Sequence, residues 1–176
     1  MRAAVYLASG EVELRELPEP EPGPGELVVE VELCGICGSD LIEWYASAKA
    51  PGVLGHEPVG RVVTAGSSLN GVRMPEIGSR VFVHHHVPCG ICDLCLAGRE
   101  TLCSRFKETK LQPGGFAERI LVSAEHVAKD VLVLPEEVSS EAATLIEPLA
   151  CCIRGVRKAG IVPRSRVVII GLGQVG

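Results

Sequence analysis

"CGICDLCLAGRETLC", residues 89–103, holds four cysteines in the spacing C-x2-C-x2-C-x7-C. Four thiolates this close together can complete a tetrahedral site around one zinc ion and leave no open coordination position. Because the lobe over residues 87–108 has few apolar residues to pack, we predict that zinc folds it. An iron–sulfur cluster is the alternative, but ferredoxins bring their fourth cysteine sooner and follow it with proline. The predicted ligands are Cys89, Cys92, Cys95 and Cys103.

Composition limits the class of protein. The chain has 176 residues, of which 47% are hydrophobic and 3% aromatic, so its core must be largely aliphatic. The net charge of −5, without a basic stripe, argues against binding to nucleic acid or to a membrane surface. With no secretory signal and no apolar run of membrane-spanning length, we expect a cytoplasmic protein. In that setting eight cysteines indicate metal ligands rather than disulfides.

Strand patterns fill most of residues 1–135, and a pattern of helix and strand follows. Residues 39–48 predict one short helix within the first part. Residues 139–160 predict a longer helix with a serine cap and a closing Gly160, interrupted or kinked at Pro148. The change of pattern near residue 140 is the best candidate for a domain boundary.

The stretch VVIIGLGQVG, residues 167–176, combines two signals. Its unbroken apolar run is typical of a fully buried parallel strand. The glycines that follow have the G-x-G-x-x-G spacing of a dinucleotide-binding turn, which by itself is a weak signal. They are Gly171, Gly173 and Gly176.

A second set of metal-ligand side chains is dispersed along the chain. Cys37 lies in CGICGSD, His56 and Glu57 lie in GHEPVG, and Glu147 lies in IEPLACC. Each alone has a structural explanation, as a core cysteine, a hydrogen-bonded turn residue or a solvated carboxylate. Together, a cysteine, a histidine and a carboxylate form the mixed ligand set of a catalytic zinc, with one position left for water or substrate.

These motifs together resemble the zinc-dependent medium-chain alcohol dehydrogenases, closest to the branch of sorbitol and threonine dehydrogenases. The resemblance implies a mainly β fold, with a GroES-like β-barrel catalytic domain over residues 1–150. Residues 151–176 would then be the first helix and strand of a truncated Rossmann α/β domain. The motifs that carry it, in the family's order, are CGICGSD (34–40), GHEPVGRV (55–62), the cysteine lobe (89–103), GGFAE (114–118), EPLAC (147–151) and VVIIGLGQVG (167–176).

The resemblance also implies roles for single residues. Cys37 and His56 match the catalytic zinc ligands. Glu57 and Glu147 are expected to exchange with water at one further ligand position, with either able to coordinate directly. Asp40 matches a carboxylate that orients His56 through its other ring nitrogen.

Ser39 matches a hydroxyl that passes the alcohol proton away from the metal, although a helix N-cap also explains this serine. Where the family often continues this relay with a histidine, the chain has Ile42. Either Glu43 or water then takes over, or proton release is slower. Candidates for the substrate wall, for which core packing is an equal explanation, are Trp44, Tyr45 and Phe116.

Three consecutive histidines, His84–His86, invite a further metal assignment. Adjacent residues of a strand point to opposite faces, so three in a row cannot share one site without a turn. We expect them at the surface where a strand ends, and we interpret His126 as structural.

The expected function is a zinc- and NAD- or NADP-dependent dehydrogenase of secondary alcohols or polyols. Zinc stabilises the alkoxide, and hydride passes from its carbon to the nicotinamide. We expect about two zinc ions per chain, one catalytic and one structural, and a homo-oligomeric full-length enzyme. The chain would be the catalytic half and inactive alone. The alternative is a non-enzymatic GroES-like zinc-binding module.

Overall fold

A computed structural model describes residues 1–8, 10–171, 173 and 175. Its strands are short and rich in β-branched residues, and they pair antiparallel throughout. The strands are β1 (Arg2–Ala8), β2 (Glu11–Glu16), β3 (Leu27–Gly35), β4 (Gly52–Val53), β5 (Glu57–Ala65), β6 (Arg80–Val83), β7 (Arg119–Val122) and β8 (Val131–Val133).

The described strands form two sheets, one ordered β2-β1-β4 and the other β7-β3-β5-β6-β8. A bridge between Ala3 and Ala117 joins them, and the Ala4 amide donates to the Phe116 carbonyl at 2.9 Å. The mainly β expectation is therefore confirmed, while the expected closed barrel is not found in the strand pairing of the described residues.

An aliphatic core fills the five-stranded sheet. Leu27, Val81 and Ile120 are each 0% exposed and belong to one cluster of buried side chains. Adjacent residues of β6 point to opposite faces, and Val81 and Phe82 are both buried, in two different clusters, so both faces of the sheet are covered there. The low aromatic content thus leads to a core of Val, Leu and Ile, as the composition predicts.

Helices are short and lie between or after the strands. They are α1 (Glu43–Ser47), α2 (Asp93–Leu96), α3 (Ser104–Glu108), α4 (Ala124–Lys129), α5 (Ser140–Thr144) and α6 (Ile146–Lys158). None of the helices in the described part of the chain is both long and apolar enough to cross a bilayer.

The helical prediction for residues 139–160 is confirmed. Ser139 caps α5, with its hydroxyl accepting from the Ala142 amide at 3.2 Å. The helix breaks at Leu145, and Pro148 falls in the first turn of α6, where its missing N–H needs no partner. Gly160, at φ +65°, follows the last turn of α6 in the left-handed conformation that glycine adopts without strain.

The predicted strand over residues 167–170 is wrong for the described chain. These residues pair with no described neighbour, and Val168 and Ile170 are 88% and 97% exposed. A parallel strand needs adjacent strands for its hydrogen bonds and cover on both faces, and no described residue supplies either. Gly171 and Gly173 follow this segment, whereas Gly176 lies outside the described residues.

Candidate metal centres

The four lobe cysteines are brought together as the spacing predicts. Their sulfur atoms lie 3.5 Å apart for Cys92 and Cys95, 3.6 Å for Cys103 and Cys89, and 3.9 Å for Cys89 and Cys95. A tetrahedral zinc site with bonds of about 2.3 Å has sulfur–sulfur edges of about 3.8 Å. A disulfide would need about 2.05 Å. The arrangement therefore fits four ligands around one ion.

Local charges in the lobe also suit a cation. The backbone N–H of Ile91 lowers the pKa of the Cys89 thiol, and the backbone N–H of Cys89 lowers that of Cys103. Burial raises the pKa of Cys95, which disfavours its thiolate unless a cation lies beside it. A metal ion between the four sulfurs would stabilise their thiolate forms.

The lobe is tied to the sheet on both sides. The Lys129 ammonium on α4 donates to the carbonyls of Pro88 at 2.7 Å and Cys89 at 3.1 Å. The buried Thr109 hydroxyl accepts from the Val87 amide at 2.9 Å and donates to the Val87 carbonyl at 3.1 Å. The lobe is thus held at both of its chain entries, although it has almost no apolar core.

A second group forms where β3 ends and β5 begins. The pairing of Gly35 with Glu57 brings Cys37, just after β3, next to His56 and Glu57. One potential ligand atom from each of these three side chains lies within 4.8 Å of the others. Sequence reasoning named all three residues, and strand pairing places them together.

The Glu57 carboxylate is the clearest sign of a bound cation at this group. Glu57 is 1% exposed, and both carboxylate oxygens are buried without a hydrogen-bond partner in the described part of the chain. Burial raises the pKa of Glu57, because an unpaired carboxylate loses its hydration. An unsatisfied buried charge is costly, and a zinc ion shared with Cys37 and His56 would satisfy it.

Two glycines make room for this geometry. A Cβ on Gly35 would overlap the Glu57 carboxylate. Gly55, immediately before His56, has φ +86°, and a Cβ there would lie 2.8 Å from the Phe116 ring. The tight backbone that brings His56 and Glu57 to the metal position therefore depends on both glycines.

Asp40 holds the His56 ring. Its Oδ1 lies 3.6 Å from His56 Nδ1 and raises the pKa of His56 to about 9. Its Oδ2 accepts from the Cys37 amide at 3.2 Å, so Cys37, not Ser39, precedes the short turn over Gly38–Leu41. The capping explanation of Ser39 is therefore wrong, and Ser39 is half-buried within this turn.

Glu147 is not part of the Cys37 group in the described structure. It lies near the start of α6, where its Oε1 accepts from the Cys151 thiol at 3.2 Å. It does line a hollow of about 390 Å³ together with His56. The sequence could not decide whether Glu57 or Glu147 is the carboxylate ligand. The structure places Glu57 nearer to Cys37 and His56.

A larger hollow of about 890 Å³, which we call the His56 cavity, adjoins this group and shares part of its wall with the smaller hollow. Tyr45 lines it, as expected for a substrate wall. Trp44 is 75% exposed, and Phe116 lines a separate apolar hollow beside Ala4 and Leu41. Neither is among the residues that line the His56 cavity.

Other wall residues of the His56 cavity were missed by sequence reasoning. They come from segments far apart in the chain, so no local pattern links them. They are Lys49, His85, His86, Thr101, Phe106, Lys107 and Lys110.

The three histidines follow β6, as expected for a strand end, but they are half-buried rather than at the surface. All three line the smaller hollow, and His85 and His86 also line the His56 cavity. Burial lowers the pKa of His85 to about 2, and its Nδ1 has no partner among the described atoms. His126 is 1% exposed and bonds Ser123 Oγ at 2.8 Å and the His85 carbonyl at 3.0 Å, in keeping with a structural role.

Comparison with known proteins identifies the family. Residues 23–136 match the alcohol dehydrogenase GroES-like domain family. The chain therefore belongs to the zinc-dependent medium-chain alcohol dehydrogenases, which confirms the resemblance drawn from its motifs.

Its relatives are named dehydrogenases and reductases. Sorbitol dehydrogenase from Bacillus subtilis is 34% identical, over 100% of this chain and 50% of that protein. L-threonine 3-dehydrogenase from Pyrococcus abyssi is 37% identical, over 93% of this chain and 47% of that protein. Acetophenone reductase from Geotrichum candidum, solved in complex with NAD, has a TM-score of 0.79 at 30% identity, over 99% of this chain and 52% of that one. The chain thus spans about half the length of these relatives.

Proposed function

We propose that the chain is the zinc-binding catalytic half of an NAD- or NADP-dependent dehydrogenase that oxidises secondary alcohols or polyols. The supporting observation is the group of Cys37, His56 and Glu57, whose ligand atoms lie within 4.8 Å of one another beside a cavity. Three protein ligands of mixed type are typical of a catalytic zinc, because a fourth position remains for water or substrate. The relatives include proteins named sorbitol dehydrogenase and L-threonine 3-dehydrogenase, and these names support the same reaction class.

Each residue of this group would have a distinct role in the reaction. Zinc held at this group supplies Lewis-acid chemistry, which eases deprotonation of an alcohol hydroxyl. Asp40 keeps His56 in one orientation and leaves its other ring nitrogen for the ion. Glu57 is placed to complete the ligand set, and we propose that Glu147 replaces it when the ion shifts toward α6.

Ser39 is proposed to take the alcohol proton and pass it outward. Ser39 is half-buried in the turn that follows Cys37, and Ile42, three residues on, is 42% exposed. Solvent therefore reaches the end of this turn directly, so the proton relay needs no histidine at position 42. Water is the simplest acceptor for the second step of the relay.

We further propose that residues 151–176 begin the nucleotide-binding domain. Gly171, Gly173 and Gly176 would form its phosphate-binding turn. The exposed apolar residues of 167–170 are what such a strand would bury against its neighbours. We also propose that the full enzyme is a homo-oligomer, as the family resemblance implies.

Zinc content combined with turnover tests the proposal. The chain should hold about two zinc ions, and Cys37→Ser should reduce this to about one. In the full-length enzyme the same substitution should lower NAD(P)-dependent alcohol oxidation at least about 1,000-fold. Cys34→Ser is the matched control, because Cys34 is a half-buried thiol outside both groups.

Two results would contradict the proposal in different ways. A zinc content of about one that Cys37→Ser leaves unchanged would remove the catalytic metal site. A full-length protein that holds two zinc ions but oxidises no alcohol with NAD(P) would instead support the non-enzymatic zinc-binding module.

A further inference from the structure

We infer that the alcohol substrate carries an anionic group, a phosphate ester or a carboxylate, which binds at the Lys49 side of the His56 cavity. The inference rests on the dehydrogenase function proposed above and names the substrate class of the same site. It follows from the distribution of charge in the cavity wall.

The His56 cavity is basic in an acidic chain. The whole chain carries a net charge of −5, yet Lys49, Lys107 and Lys110 line this cavity and no Asp or Glu is among its lining residues. A concave site with one sign of charge concentrates its field and attracts ligands of the opposite sign. A neutral alcohol would need no such charge.

Lys49 is placed to donate to a ligand. Its Nζ donates to the Tyr45 hydroxyl at 2.9 Å and lies 4.1 Å from the centroid of the Tyr45 ring, which holds the ammonium in place. An ammonium has three N–H donors, so two remain. Within the described residues, no carboxylate lies within 4.0 Å of Lys49, Lys107 or Lys110.

The histidines of the wall are neutral and serve the rest of the substrate. Burial lowers the pKa of both His85 and His86, and the nearby Lys49 charge lowers them further. The lysines therefore supply the positive charge at neutral pH. His85, Thr101 and Tyr45 supply polar atoms for hydroxyl groups.

Two carboxylates lie at the candidate metal group. Asp40 is 3.6 Å from His56 Nδ1, and Glu57 shares the metal group with His56. Glu147 lines the smaller hollow, to which Lys49 also contributes, but it does not line the His56 cavity. Because Lys49 and His56 line the same cavity, we place the anionic group of the substrate at Lys49 and its reacting hydroxyl at His56.

Three substrates of one carbon skeleton test this inference in the zinc-loaded full-length enzyme, because the chain by itself is expected to be inactive. We expect kcat/KM for D-sorbitol 6-phosphate or D-gluconate to exceed that for D-sorbitol by at least about tenfold, and the better of the two anions identifies its class. Lys49→Gln should reduce this preference by about 10- to 100-fold, whereas Lys49→Arg should retain most of it. Lys158→Gln, on the exposed end of α6, is the matched control and should leave the preference unchanged.

A binding measurement separates this inference from the dehydrogenase proposal. Inorganic phosphate titrated calorimetrically into the zinc-loaded protein should bind at least about tenfold more weakly to Lys49→Gln than to Lys158→Gln. If no alcohol is oxidised but phosphate binding depends on Lys49, the anion site stands and the dehydrogenase proposal fails. If sorbitol is oxidised as well as the anionic substrates, or if Lys49→Gln binds phosphate normally, the anion site is overturned.

Discussion

The two candidate metal centres differ in how the chain builds them. The lobe site takes four thiolates from one loop, residues 89–103, with sulfur–sulfur distances of 3.5–3.9 Å. The second site takes a thiolate, an imidazole and a carboxylate from the ends of two paired strands. Loop spacing is enough for the first site, whereas the second also requires the correct strand register.

The difference in ligand set matches a difference in chemistry. Four thiolates close a coordination sphere, so an ion bound at the lobe site would only stabilise the fold. The second group leaves Glu57 unsatisfied beside a cavity, where a ligand can approach. A protein can therefore use zinc for stability and for reactivity in one domain by changing ligand type and enclosure.

The largest effect is expected when one of the four lobe ligands is removed. Cys103→Ser should lose about one zinc ion per chain and lower the thermal midpoint by more than about 10 °C, because metal binding replaces a hydrophobic core there. Metal analysis, thermal unfolding and hydrogen exchange over residues 87–108 would measure this. Cys152→Ser, outside both groups, is the control. A Cys103→Ser protein that keeps its zinc and its midpoint would show that the lobe folds without the ion.

A second prediction tests whether strand geometry controls the catalytic site. In Gly35→Ala the new Cβ would overlap the Glu57 carboxylate, so zinc affinity at that site should fall by about 10- to 100-fold while the lobe keeps its ion. Gly38→Ala is the control, because a Cβ there meets nothing within 4 Å. Competition with a zinc chelator would report both affinities. Equal zinc affinity in the two variants would rule out the proposed role of Glu57.

The smallest effect concerns the segment that connects the sheet to the lobe. Burial disfavours the charged form of His84, but Asp130, 3.1 Å from its Nδ1, outweighs this and raises the pKa of His84 above 6.5. The charged pair thus stabilises the fold fully below about pH 6.5, and this contribution is lost as the pH rises through the raised pKa. Asp130→Asn should cost less than about 1 kcal/mol near pH 6, because both groups are partly exposed, and almost nothing near pH 9. Denaturant unfolding at both pH values would measure it, and an equal loss at both would contradict an ionic role.

Several features of the fold follow from local sequence patterns. Ser139 and Gly160 mark the limits of the helical region, because a cap and a left-handed glycine act within one turn. The apolar run at 167–170 gave a wrong strand prediction, because strand formation depends on distant parts of the chain rather than on local pattern. Its composition is that of a buried strand, but a strand forms only against neighbours that the described chain does not provide.

At the second metal group, the sequence identified the candidate metal ligands but missed most residues of the cavity wall. Cys37, His56 and Glu57 could be named because their residue types restrict the chemistry they perform. Lys49 and His85 could not, since a lysine just after a short helix and a histidine after a strand are common surface residues. Only packing places both in one wall.

By itself, the sequence determined the family, the four lobe ligands and the set of side chains able to hold a second zinc, because these depend on residue type and close spacing. Tertiary structure decided that Glu57 rather than Glu147 joins Cys37 and His56, and that basic residues from distant segments share one cavity. Those outcomes depend on strand register and long-range packing. Burial leaves the Glu57 carboxylate without a partner, and the packing of distant segments brings three exposed lysines to a cavity that no acidic residue lines.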